Sequence, residues 1–149
     1  MRCNAGEAIM MEQPQELKKR LGRSAEDYLE AIGHLCNQHG SAQVSDIAQM
    51  LGVKKPSVTA AMRRLADAGL IDYHQYAPIQ LTETGRQYAD RVIHSHTTLL
   101  RFMTEVAGLT PERAEAAACS IEHILTFEEI SAMGERMDAM HAGINKEQK

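Results

Sequence analysis

At 149 residues, with 44% hydrophobic and 24% charged side chains, the chain is long enough for one substantial core, or a small module joined to a helical partner, and too apolar to stay disordered. Its formal charge of -4 excludes a generally basic nucleic-acid coat and leaves room for a local basic surface. Three widely spaced cysteines, Cys3, Cys36 and Cys119, exclude a disulfide scaffold and fit free thiols in a reducing cytoplasm; neither a signal-peptide pattern nor an apolar run of membrane length is present.

Residues 1 to 23 carry Gly6, Pro14 and Gly22 around a charged segment and read as a peripheral extension with room for a turn or two of helix. Ser24 stands at a helix cap position with Asp27 three residues on, and Tyr28, Leu29, Ile32 and Leu35 form the apolar side of a helix ending near Gly40. From Gln43 to Leu81 the pattern is that of a winged helix-turn-helix. Ser45 can cap a short helix that stops at Gly52, and Pro56 suits the first turn of a second helix running through Leu65, because the missing amide donor costs least there. Leu70 to His74, a break at Ala77-Pro78 and Ile79 to Leu81 predict the two strands of the wing.

The second of these helices is the candidate DNA reader. Ser57 and Thr59 can bond base edges or phosphates, Lys54 and Lys55 lie near its start, and Arg63 and Arg64 near its end. Winged helices also mediate protein contacts, and flanking basic residues are often only solvated. DNA binding is favoured because helix starts, turn residues and wing order agree. The local field is weak, so a homodimer reading two half-sites of a double-stranded operator is the physical expectation.

Thr82 to Gly85 leads into a long helix expected from Arg86 to about Ala107, with His96 on the same side as Tyr88, Val92, Leu99 and Met103. His96 taken alone fits a hydrogen-bonded core histidine as well as a ligand. Thr110 can cap a further helix with Pro111 in its first turn, rich in alanine through Ala118. A last helix, Thr126 to about His141, has Ile130, Met133 and Met137 at helical intervals and reads as core or dimer seam.

Cys119, Glu122 and His123 stand at i, i+3 and i+4. On a helix a thiol, a carboxylate and an imidazole at that spacing overlap on one face and can chelate a divalent metal. Asp27 and Glu30, at i and i+3, have the alternative reading of acids favoured at a helix start. Taken together with His96 they bring the possible donors to three carboxylates, two imidazoles and one thiolate, and a divalent cation offsets the cost of burying such carboxylates. Oxygen donors suit manganese and iron, while a thiolate shifts preference toward iron, zinc or cobalt. The alternative for Cys119 is a small buried apolar side chain.

The runs Glu26-Asp-Tyr-Leu-Glu30, Val44-Ser-Asp-Ile-Ala48, Pro56-Ser-Val-Thr59, Leu81-Thr-Glu-Thr-Gly85, His96 and Ile121-Glu-His123 resemble the DtxR/MntR family of metal-dependent bacterial transcriptional repressors, over roughly Ser24 to Met137. The short length resembles the two-domain manganese-responsive branch. That resemblance implies a mostly α fold: a winged helix-turn-helix DNA-binding domain over 24–85 and a helical metal-binding and dimerisation domain over 86–149. It implies a homodimer on palindromic operator half-sites, with Mn(II) or Fe(II) as corepressor and Zn(II) or Co(II) as further candidates. By the same resemblance Asp27, Glu30, His96, Glu122 and His123 hold a closely spaced pair of metal ions in each subunit, those at Asp27 and Glu122 able to bridge, and Cys119 joins the expected metal-site residues from its place on the same helix face.

The primary site reads as a hybrid, since the manganese branch has glutamate where this chain has Cys119 and the iron branch has methionine where it has Asp27. Leu100 and Glu115 stand where the iron branch's ancillary site needs a glutamate and a histidine. Ala77-Pro78 replaces the Arg-Gly pair frequent in the family's wing. The expected function is a metal-dependent repressor of manganese or iron uptake genes and not an enzyme. The alternative is a winged-helix regulator that answers to a small organic effector or to thiol oxidation.

Overall fold

The computed structural model describes residues 14–147, and Cys3 lies outside them. The chain forms two compact units, Met1–Val92 and Ile93–Lys149, and the boundary falls inside one helix. Mostly α architecture with a small two-stranded sheet is observed, as the patterning implies.

The first unit opens with α1, Pro14–His39. Gly22 interrupts it at φ 74 and ψ 173, a positive-φ conformation that glycine enters freely and that residues with a Cβ essentially do not adopt. Residues 14–23 were expected to be peripheral, but Leu17 and Lys18 are both buried. The reason is local: Leu17 is apolar, and Lys18 Nζ lies 4.0 Å from Glu26 Oε1, so its charge has an opposite partner inside. Past the kink, Tyr28, Leu29, Ile32, Leu35 and Cys36 are buried at helical spacing. Burial raises the pKa of the Cys36 thiol.

α2, Val44–Leu51, buries Ile47 and Ala48 and ends on Gly52, whose left-handed backbone lets Val53 N–H bond Ala48 O at 3.0 Å. Its N-cap is Gln43, without a side-chain cap bond; Ser45 lies one residue inside the helix and points its hydroxyl at Asp46 Oδ1, 3.4 Å away. α3, Lys55–Asp67, has Pro56 in its first turn as anticipated and buries Val58, Ala61, Met62 and Leu65.

The wing is shorter than the sequence suggested. β1, Ile71–Asp72, pairs antiparallel with β2, Gln80–Leu81, in the register Ile71 to Leu81 and Asp72 to Gln80. The turn lies at His74–Ala77 rather than at Ala77-Pro78: Ala77 N–H bonds His74 O at 3.0 Å and Tyr76 takes φ 66. Ala42 and Ile79 exchange both backbone bonds and fasten the wing's return strand to the segment after α1.

Thr82 caps the next helix, α4, Glu83–Arg101. Its hydroxyl donates to Gly69 O at 2.7 Å and accepts Gly85 N–H at 3.0 Å. Gly85 is required for space, because a Cβ there would overlap the Leu70 carbonyl. That close approach explains the Thr-x-x-Gly run: cap and contact fix the wing's first strand against the helix start.

α4 starts three residues earlier than expected and does not run regularly to Ala107. Its end widens into a π turn, Phe102–Val106, with Ala107 N–H bonded to Phe102 O at 3.0 Å. Thr104 Oγ1 donates to the carbonyls of Leu100 and Arg101, so a side-chain donor competes for acceptors the α-helix would use.

In the second unit, α5, Pro111–Ile121, follows Thr110, which has cap backbone geometry without the anticipated side-chain bond. α6, Phe127–Glu147, follows a reciprocal cap: Glu129 N–H bonds Thr126 Oγ1 at 3.1 Å and Thr126 N–H bonds Glu129 Oε2 at 2.8 Å. Leu99, Ala118 and Ile130 form the unit's core, with Leu100, Ile121, Leu125 and Met133 packed against it. Ala118 on α5 and Gly134 on α6 are small for a packing reason, and a Cβ at Gly134 would lie 3.2 Å from Thr98 Cγ2. Among the described residues, no helix is long and apolar enough to cross a membrane.

Candidate metal centre and nucleic-acid face

In the first unit the exposed side of α3 and the wing form a groove. Lys55, Thr59 and Arg63 line one wall at i, i+4 and i+8, one helical face, and Tyr73, Gln75 and Tyr76 of the wing line the other. Tyr76, at the tip, is 97% exposed, held out by its left-handed backbone. The basic candidates divide. Lys54 and Ser57 are exposed at the start of α3, whereas Arg64 faces a separate cleft with Arg20 and Asp67. Sequence reasoning missed the three wing residues; the signal was two tyrosines and a glutamine within four positions of a short hairpin.

Also in the first unit, Glu26 is buried and accepts the Tyr88 hydroxyl at 2.9 Å, beside Lys18. Burial, and then the charge of Glu26, push the Tyr88 pKa well above its ordinary value. Asp27 and Glu30 lie in the same part of α1, half-buried, with His34 Nε2 3.7 Å from Glu30 Oε1.

The second unit brings His96, Cys119, Glu122 and His123 together. α5 ends at Ile121, so Glu122 is its C-cap and His123 begins the following turn. Glu122 keeps helical backbone angles, and its N–H still bonds Ala118 O at 3.0 Å, which preserves the expected spacing past the helix end. Glu122 is 2% exposed. Its Oε2 lies 2.8 Å from His96 Nδ1 and its Oε1 3.3 Å from His123 Nε2. Cys119, half-buried and not in a disulfide, offers its sulfur within 4.8 Å of the Glu122 and His123 ligand atoms.

Donors bound to one ion at about 2.0–2.3 Å lie within about 4.6 Å of one another, so Cys119, Glu122 and His123 need little movement to share a cation, and His96 approaches the same carboxylate. The donor set fits: a thiol, a carboxylate and two imidazoles, nearly all removed from water, where a carboxylate without a counter-charge costs several kcal/mol. A fifth residue was not foreseen as part of the cluster. Glu115 Oε1 lies 2.9 Å from His96 Nε2. Its signal was present, since Glu115, Cys119 and Glu122 stand at i, i+4 and i+7.

A model of the iron-dependent repressor N-terminal DNA-binding domain matches residues 20–78, and one of the iron-dependent repressor metal-binding and dimerisation domain matches residues 82–142. An uncharacterised HTH-type transcriptional regulator of Methanocaldococcus jannaschii is 32% identical over 109 residues, covering 72% of this chain and 87% of that protein. Among solved structures, T. acidophilum IdeR is 31% identical with a TM-score of 0.66, covering 76% of this chain and 53% of that one. ScaR with bound Zn2+ is 25% identical with a TM-score of 0.64 over the same shares, 76% and 53%. A manganese-dependent transcriptional repressor in complex with manganese has the same fold, with a TM-score of 0.67 at 23% identity over 76% of this chain and 52% of that one. The chain thus spans about half the length of these solved structures. With one model on its DNA-binding part, another on its metal-binding and dimerisation part, and most of the archaeal regulator aligned to it, the chain belongs to the iron-dependent repressor family of transcriptional regulators.

Proposed function

We propose that this chain is a metal-dependent repressor of manganese or iron uptake genes, acting in the cytoplasm as a homodimer on palindromic operator DNA. The observation that carries the reading is the packing of Cys119, His123 and His96 ligand atoms around the buried Glu122 carboxylate, in a chain that also presents a helix-turn-helix. Asp27 and Glu30 are the further carboxylates that the family resemblance assigns to the ion, with Asp27 and Glu122 as bridging groups of a metal pair. When bound, the divalent ion supplies positive charge against these carboxylates. Mn(II) or Fe(II) is the proposed corepressor, and the Cys119 sulfur makes Zn(II) and Co(II) competent in vitro.

The ligand residues bracket the DNA reader in the chain, two before α2 and four after the wing. Ordering them together biases the chain toward the DNA-competent member of a pre-existing ensemble. A coupling of about 1–3 kcal/mol corresponds to about 5–150-fold in operator affinity. In the groove, Lys55 and Arg63 neutralise phosphates, and Thr59 faces the base edges.

The test selects sites from a random duplex library with Mn(II)-loaded protein, then measures binding to the enriched duplex by fluorescence anisotropy. Chelated protein is compared with Mn(II), anaerobic Fe(II) and Zn(II). The expected result is an inverted repeat bound at least about fivefold tighter with a metal present. Equal affinity in every condition overturns the metal switch, and full switching by an oxidant in chelated protein points instead to thiol chemistry.

A further inference from the structure

His96 is held at both ring nitrogens by carboxylates of unlike character. Nδ1 lies 2.8 Å from Glu122 Oε2, an almost wholly buried group, and Nε2 lies 2.9 Å from Glu115 Oε1, whose side chain is 58% exposed. An imidazole nitrogen coordinates a cation through its lone pair, so in the neutral ring the proton must sit on the other nitrogen. Nδ1 is the nitrogen beside Glu122 and therefore the one placed to share an ion with that carboxylate. The proton then belongs on Nε2, where an acceptor is already in hydrogen-bond contact.

We propose that Glu115 is a positioning residue of the metal centre: its carboxylate accepts the Nε2–H of His96 and holds the ring in the tautomer and orientation that present Nδ1 to the ion. The proposal rests on the reading that His96 and Glu122 bind a divalent cation. Glu115 suits the role for two reasons. It stands one turn before Cys119 on the same face of α5, so the helix that carries the donors also aims their neighbour. Its side chain is open to water and accepts the hydrogen bond without burying a second acid, which would add a further charge for the ion to offset. A carboxylate bonded to the far nitrogen of a ligating histidine also raises that ligand's basicity, and losing such a partner typically lowers metal affinity about 10–100-fold.

The test uses the full chain with Zn(II), a diamagnetic probe, in calorimetric titrations and in two-bond proton–nitrogen spectra of histidine-labelled protein. His96 is assigned by its loss in His96→Gln. In the wild-type Zn(II) form His96 should show a protonated Nε2 and a metal-shifted Nδ1. Glu115→Ala should weaken Zn(II) binding about 10–100-fold and scramble that pattern, with metal-free thermal unfolding retained. Glu115→Gln, whose amide oxygen still accepts, should recover part of the affinity, and Glu112→Ala, exposed on the same helix, should behave as wild type.

An unchanged affinity and an unchanged His96 pattern in Glu115→Ala overturn the proposal alone. So does a wild-type spectrum with Zn(II) on Nε2, which makes Glu115 a direct ligand. Absence of Zn(II) binding by the wild-type chain overturns the metal-centre reading with it.

Discussion

Replacing Glu122 by Gln keeps the side chain's shape and removes one buried charge. In the metal-free protein this should be neutral to stabilising. The partners on either side are histidines, which can shed a proton, so no obligatory cation is stranded as it would be with Lys or Arg. Relief of carboxylate desolvation, offset by one weakened hydrogen bond to His96 and a lost charge contact with His123, leaves about 0–2 kcal/mol in favour of the variant. At about 2–4 °C per kcal/mol for a chain this size, the metal-free Tm should stay constant or rise by up to about 8 °C.

With metal the order reverses. At a hundredfold excess of Mn(II) over Kd the wild type gains about 2.7 kcal/mol, or about 5–11 °C. A variant binding about a hundredfold more weakly gains about 0.4 kcal/mol. Thermal unfolding followed by circular dichroism, with Mn(II) and with chelator, reads both arms. A metal-free variant melting about 8 °C or more below wild type, or an equal Mn(II) shift in both proteins, would refute the assignment of Glu122 as a ligand held at a folding cost.

Tyr88→Phe should destabilise the first unit by about 1.5–3 kcal/mol near neutral pH, since it removes the hydroxyl donated to the buried Glu26 carboxylate. Because the Tyr88 pKa is raised in the folded state, its contribution is complete below the unfolded value of about 10 and fades as pH rises above it. Urea unfolding should therefore show the wild-type advantage shrinking by about 1.4 kcal/mol between pH 9 and pH 11, and a constant gap would contradict the buried pair. Lys55→Ala and Arg63→Ala should each lower the slope of log affinity against log salt by about 0.9. Slopes that do not move would place DNA elsewhere than the α3 groove.

The DNA-binding half was legible because its punctuation is local. Gly52 and Pro56 bound the turn between α2 and α3 by backbone restrictions that no tertiary contact overrides. The cap at Ser45 was not, since a serine one residue inside a helix looks the same in sequence as one at its edge. The N-terminal helix was masked by Gly22, which breaks the periodic pattern while the chain passes through a positive φ and continues into helix.

The shared face of Cys119, Glu122 and His123 was legible from spacing, and helical angles at Glu122 kept that spacing after the helix ended. Glu115 escaped because an exposed glutamate on an alanine-rich helix reads as a solvated side chain. Only the ring of His96, arriving from a helix 19 positions earlier, gives it a partner.

The wing is fastened at its base by main-chain groups and one side chain outside the tip: the Ala42–Ile79 bridge, the Thr82 hydroxyl donating to the Gly69 carbonyl, and the Leu70 carbonyl against Gly85. None of these depends on the side chains at 73–78. Substitution at the tip can therefore reshape the proposed DNA groove while the fold is left unselected, with one restriction: position 76 is best filled by residues that tolerate a left-handed backbone, such as Gly, Asn or Asp. Exchanging the tip between repressors should transplant DNA preference at almost no cost in folding, a separation of specificity from stability that α3, the proposed reader, does not allow, since it buries Val58, Ala61, Met62 and Leu65.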